Sequence, residues 1–196
     1  MSWWLRVRAA PAIFGSLLLV GCVAVVIPSS SVPLPSIAGA LGTGLPLRYL
    51  APILPTLIVL YGQSRADHAA EKVAVRSVPV MDAIFVVTVA VVALVSAPIV
   101  PDGIAVGRNV VGYLGLGLTI RWLTNYRVAA AVSTFVPFFI ASLGMQGHRP
   151  VWWAWALHEG GDLFSAGCAL GLFCMGTALL FRAPLLRSSE QNEESS

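Results

Sequence analysis

Residues 79–99 read PVMDAIFVVTVAVVALVSAPI. One charge, Asp82, stands near the start, and apolar residues follow almost without interruption to Ile99. A membrane crossing needs roughly 20 mostly apolar residues at 1.5 Å of rise each. This stretch is long enough, and it fixes the reading of its neighbours.

Five further runs have the same character: residues 10–28, 46–62, 104–123, 128–145 and 163–181. The expected fold is therefore an all-α polytopic membrane protein with about six transmembrane helices. Residues 1–187 form one transmembrane domain, and 188–196 form a solvated, disordered tail that carries Glu190, Glu193 and Glu194. The second run is short and holds Pro52 and Pro55. Proline inside a span is tolerated where neighbouring helices or water satisfy the carbonyls it frees.

Composition agrees. Of 196 residues, 57% are hydrophobic and 11% charged, with a mean hydropathy of +0.82. A soluble domain carries about 25% charged residues. So little charge cannot cover a water-soluble globule of this size, and the bulk must meet lipid or other buried helices.

The basic residues then orient the chain. With six spans, Arg6, Arg8, Arg65, Lys72, Arg76, Arg121, Arg127, Arg182 and Arg187 fall on one side, and only Arg48, Arg108 and Arg149 on the other. The positive-inside rule places both termini in the cytoplasm and the protein in the cell membrane as a multi-pass chain. The net charge of +3 comes mainly from these anchors. They suit anionic lipid head groups and give no argument for nucleic acid. A signal peptide competes with the first span, with Ala38-Gly39-Ala40 as its cleavage site. Against it, the apolar run exceeds the usual h-region of about 7–15 residues, and the site lies far beyond the run. Cys22, Cys168 and Cys174 fall inside spans, where cysteine packs as a small hydrophobe.

The connection between the second and third spans, residues 62–78, is the longest charged stretch. Ala66, Ala69, Ala70, Val73 and Ala74 repeat at helical spacing. Arg65, Asp67, His68, Glu71, Lys72 and Arg76 take the remaining positions. Ser64 with Asp67 three residues later fits a capping box. A short amphipathic helix on the cytoplasmic face is expected. It either links two spans or offers Arg65, Asp67, Glu71, Lys72 and Arg76 to a cytoplasmic partner. Asp82 is expected in the first turn of the third span, where a carboxylate interacts well with the helix dipole.

On the other side, residues 146–162 contain Trp152, Trp153 and Trp155, half of the six tryptophans. Tryptophan concentrates at head-group level because its ring is amphipathic. The segment therefore lies in the outer interface or dips in and returns, as an anchor or as an outer gate or ligand-contact surface that includes His158. His158, Glu159 and Asp162 resemble part of a metalloprotease motif, but the second histidine of HExxH is missing. A water-activating zinc needs about three protein ligands, and even His148 does not complete a convincing set. No metal, cofactor or catalytic residue is assigned, and the chain is expected not to be an enzyme.

Small residues mark contacts between spans. Gly103 with Gly107, and Gly167 with Gly171, are spaced GxxxG, and Gly112, Gly115 and Gly117 add a flat patch on the fourth span. Arg108 begins that span and is expected to pair with Asp102 or to snorkel. No strong ionisable pair is apparent at mid-span, which argues against an ion-coupled carrier.

Six spans with both ends inside, a charged connection after span two and a Trp-rich segment after span five together resemble the membrane subunit of ABC-2-type exporters. The stretches 107–116 (GRNVVGYLGL) and 153–157 (WAWAL) are similar to segments of small actinobacterial permease-like proteins that accompany ABC ATPases, often beside genes for peptide antibiotics. The resemblance implies a permease subunit that works with a separate ATPase docked near Glu71 and Arg76. It implies a homodimer or a paired permease, with an antibiotic peptide, another amphipathic compound or lipid as cargo. Unlike those permeases, the chain has only Met1–Arg8 before its first span, which also fits an accessory subunit. Two other classes stay open: a membrane sensor or scaffold that does not transport, and an intramembrane hydrolase around His148, His158, Glu159 and Asp162.

Overall fold

The computed structural model describes residues 5–6, 8–26, 31–32, 45–65, 78–100, 102–146 and 149–193, and within them the chain is helical nearly throughout. The principal helices are α1 (Ala10–Val26), α2 (Ile53–Ser64), α3 (Val78–Ser96), α4 (Gly103–Leu123), α5 (Tyr126–Leu143) and α6 (Leu163–Glu193). Two short antiparallel strand pairs, Ser31–Val32 with Leu45–Pro46 and Met145–Gln146 with Arg149–Pro150, close connections.

Among the described residues, four stretches are long and apolar enough to cross a membrane: Val78–Ile99, Gly103–Leu123, Tyr126–Leu143 and Leu163–Phe181. The protein is an all-α membrane protein. Leu18, Val95, Phe135 and Leu163 stand exposed on the outside of the bundle, where lipid accommodates them. The other two helices are shorter. α1 has 17 residues, about 25 Å at 1.5 Å each. α2 has 12 residues, about 18 Å.

The prolines explain why the second run is not one helix. It divides into a single turn, Leu47–Leu50, and α2. Pro52 caps α2 and Pro55 lies in its first turn. A proline is tolerated there because the first N–H groups of a helix have no partner inside it. Farther along a helix, proline removes a hydrogen bond, so the turn before Pro52 does not run on into α2.

α4 is the central helix. Of its 21 residues 14 are buried, spread around the whole circumference, as expected of a helix that packs on every side. Its glycines do not make one flat patch. Successive residues turn by about 100°, so Gly112, Gly115 and Gly117 open three directions. A Cβ at Gly112 would meet the Trp155 ring, one at Gly115 the backbone of Leu172 and Phe173, and one at Gly117 the side chains of Thr56, Leu60 and Ser133. On α6, Gly176 faces Gly115 in return. Lipid tails are as apolar as leucine, so close packing of this kind replaces the hydrophobic drive between helices. Gly103 and Gly107 do the same against the carbonyls of Ala97 and Ala93, whereas nothing lies within 4 Å of Gly167 or Gly171.

The helices alternate in direction. Arg8 before α1, Gly62 and Gln63 at the end of α2, Asp82 near the start of α3 and Arg121 near the end of α4 meet at one end of the bundle. Arg108 near the start of α4 meets His158 and Glu159 before α6 at the other.

Candidate functional site

Two polar clusters occupy the two ends of the bundle. The one at the Trp155 end is built on the first half of α4. Arg108 and Asn109 lie in its second turn, 4% and 0% exposed. Five residues at 1.5 Å each set Arg108 roughly 8 Å along the helix from its start. It therefore neither snorkels to the surface nor relies on Asp102. Nη1 donates to the carbonyl of Glu159 at 2.8 Å, Nη2 to the carbonyl of His158 at 2.8 Å, and Nε to the Oδ1 of Asn109 at 3.3 Å. The Asn109 amide donates to the carbonyl of Ala156 at 2.9 Å. Two polar side chains of one helix thus hold three carbonyls of the Trp-rich segment.

That segment enters the bundle. The hairpin at Met145–Pro150 leads into it, and Val151 N–H donates to the carbonyl of Gly144 at 2.8 Å. Trp155–Leu157 form a single 3-10 turn. Ala154, Trp155 and Ala156 are buried among Ile53 of α2, Tyr113 of α4, Ile140 of α5 and Ala169 of α6. The Trp155 ring lies over Gly112, with its centroid 5.5 Å from that of Tyr113. The three tryptophans therefore differ. Trp152 is 71% exposed. Trp153 packs against Phe139, ring centroids 6.3 Å apart. Only Trp155 is inserted.

His158 and Asp162 brace the segment from within. His158 Nε2 lies 3.1 Å from the carbonyl of Val151, and Nδ1 lies 3.4 Å from Asp162. Asp162 caps α6 by accepting from the Ser165 amide at 3.0 Å and from the Ser165 hydroxyl. These Ser165 bonds, with a smaller pull from His158, hold its carboxyl below the usual range. Glu159 is exposed and contributes its carbonyl to Arg108. His148 lies outside the described residues. Among the described residues, no three metal-ligating side chains converge.

At the other end, Arg8 and Asp82 form a buried bidentate ion pair. Nε and Nη2 of Arg8 each lie 2.9 Å from a carboxylate oxygen, and the residues are 2% and 8% exposed. Asp82 is the fifth residue of α3, so its partner is a side chain rather than the dipole of the first turn. Arg8 Nη1 also reaches the carbonyl of Gly62 at 3.4 Å. A Cβ on Gly62 would sit 2.4 Å from the carbonyl oxygen of Arg8, so glycine is what lets this backbone approach. The Arg8 guanidinium thereby ties the end of α2 to the start of α3, on either side of the 62–78 connection. Beside it, Arg121 donates to the Gln63 side chain.

Of the residues expected to meet a partner on that connection, Arg65 is exposed, with its guanidinium 5.7 Å from the Tyr61 ring centre. Asp67, Glu71, Lys72 and Arg76 lie outside the described residues, with the amphipathic helix expected there. Ser64 donates to the carbonyl of Tyr61 at 2.7 Å and so closes α2.

No protein-family model matches the chain, and no curated protein or solved structure does so either.

Proposed function

We propose that this chain is the membrane permease subunit of an exporter for an amphipathic compound, powered by a separate ABC-type ATPase. It crosses the cell membrane six times with both termini in the cytoplasm, and works as a homodimer or beside a second permease. The observation that carries this reading is the inserted segment at the Trp155 end. A buried indole and a buried Arg108–Asn109 pair hold a short irregular segment between α4, α5 and α6, where an outlet would need a closure that can move. The opposite end collects Arg8, Arg65, Arg121 and Arg127, which supports a cytoplasmic face. There the Arg8–Asp82 pair would pass motion of a partner-bound 62–78 connection directly to α1, α2 and α3. The chain itself makes and breaks no covalent bond.

The test is affinity purification from native membranes in mild detergent, wild type beside a Glu71→Ala/Arg76→Ala variant, with retained proteins identified by mass spectrometry. A nucleotide-binding ATPase held by wild type and lost from the variant is expected. An intact preparation in which neither form holds an ATPase refutes the reading.

A further inference from the structure

Arg108 is a buried cation held by neutral partners. Its described hydrogen bonds run to two backbone carbonyls and one amide oxygen, and no described carboxylate pairs with it directly. Asp162 is near enough to act on it through space, but its bonds go to Ser165 and its contact to His158. Carbonyl dipoles satisfy N–H groups without cancelling a charge, and a buried ion with no directly paired counter-charge is costly. Ionisable side chains inside membrane spans commonly mark substrate paths for this reason.

The neighbouring groups are donors too. A guanidinium has five N–H groups, and the hydrogen bonds of Arg108 to described residues use four of them, one from Nε, one from Nη1 and two from Nη2. The Tyr113 hydroxyl is fully buried and has no hydrogen-bond partner among the described residues. Asn109 spends its amide N–H on Ala156. At about 100° per residue, positions 108, 109, 112 and 113 share one sector of α4 roughly 140° wide. Gly112 is the floor of that sector, and the Trp155 ring fills the space above it, 2.3 Å from where a Cβ would stand. Three donor side chains therefore surround a slot that accepts an apolar ring.

We propose that Arg108, Asn109 and Tyr113 bind the anionic head of an amphipathic molecule, with its apolar tail in the slot over Gly112. The segment Trp155–Glu159 occupies this site in the present conformation. The carbonyls of Ala156, His158 and Glu159 stand where ligand oxygens would lie, and the indole stands in for the tail. An oxyanion makes shorter and stronger bonds to a guanidinium than a neutral carbonyl does, so the ligand competes for Arg108 on better terms than the segment. The segment is built to leave as a unit. The His158–Val151 contact holds it together, and Gly160 and Gly161 form the joint to α6, whose cap Asp162 meets His158 at 3.4 Å.

This inference deepens the export reading by giving its cargo a chemical class, and its test is independent of any ATPase. Purified full-length protein in dodecyl maltoside is titrated with dodecyl phosphate, and tryptophan fluorescence is followed. Wild type is expected to show a saturable change. Arg108→Gln is expected to bind at least tenfold more weakly. Tyr113→Phe is the cleaner variant, because the hydroxyl it removes makes no described bond in the closed form. It is expected to keep the wild-type melting temperature and to bind several-fold more weakly. If Arg108→Gln does not fold, Tyr113→Phe carries the test alone. Binding of equal strength in wild type and Tyr113→Phe overturns the proposal, as does dodecanol binding as tightly as dodecyl phosphate. Inorganic phosphate that displaces dodecyl phosphate at equal concentration also overturns it, since the slot would then contribute nothing. A protein that retains no ATPase but binds dodecyl phosphate through Tyr113 loses the exporter role and keeps the site. One that retains the ATPase and binds no dodecyl phosphate keeps the role and loses the site.

Discussion

Replacing Asp82 by asparagine should be among the most damaging single changes in this chain. Both oxygens of Asp82 accept from Arg8 at 2.9 Å, and the two side chains are 2% and 10% exposed. The asparagine keeps the shape but removes the charge, and its amide nitrogen turns a donor toward a donor. Arg8 then loses its counter-charge, while its bond to the Gly62 carbonyl at 3.4 Å supplies no charge in its place. Breaking a buried ion pair from one side costs about 3–5 kcal/mol. At 1.36 kcal/mol per tenfold that is roughly two to four powers of ten in the unfolding equilibrium. Replacing both partners, as Arg8→Met/Asp82→Leu, removes the desolvation cost along with the attraction, and should return stability to within about 1 kcal/mol of wild type. Arg8→Met, Asp82→Leu, their double variant and wild type form a double-mutant cycle, read by equilibrium unfolding in mixed detergent micelles with circular dichroism as the signal. Single substitutions that each cost under about 0.5 kcal/mol, the range of exposed positions, would refute the reasoning, because they would mean that water reaches the pair.

Two further changes test the packing and the capping. Gly115→Ala should destabilise by an amount near the top of the usual ~1–3 kcal/mol for overpacking, because its Cβ would lie 2.3 Å from the backbone nitrogen of Phe173. Gly167→Ala, with nothing within 4 Å, should leave the melting temperature unchanged, and equal effects from the two would contradict the α4–α6 crossing. Asp162 is held below its ordinary value of 3.8 chiefly by Ser165, so the stability it contributes is complete above about pH 4 and is lost as pH falls through the lower folded value. Asp162→Asn keeps the cap without that titration, and its melting temperature should fall less steeply in acid than that of wild type; identical acid slopes would count against the assignment.

Hydropathy alone located the long helices, because a span of about 20 apolar residues needs no tertiary information to be seen. Residues 79–99 became α3 and its final 3-10 turn almost unchanged. The second run was harder. Its apolar content hides the break that Pro52 imposes, and the helix that results is a third shorter than the run suggested. The sites were less legible, for two different reasons. Arg8 and Asp82 are 74 residues apart, and each reads locally as an ordinary interfacial charge. The partners of Arg108 are backbone carbonyls, which every residue carries and no motif announces. A signal was present for Trp155 alone. WAWAL alternates tryptophan with alanine, and buried Ala154 and Ala156 on either side of an inserted ring give that spacing its meaning.

The close approach of α4 and α6 at Gly115 and Gly176 bears on how the chain is made. α6 is synthesised after α4, yet it covers the bare backbone of that central helix. Until the ribosome has delivered it, α4 holds a cationic side chain inside the bilayer with one flank open to lipid, and the carbonyls that solvate Arg108 are themselves among the late residues. Insertion of α4 and completion of the fold are therefore separate events in time. A chain that stops before Gly176 would leave the backbone of Gly115 uncovered on that side.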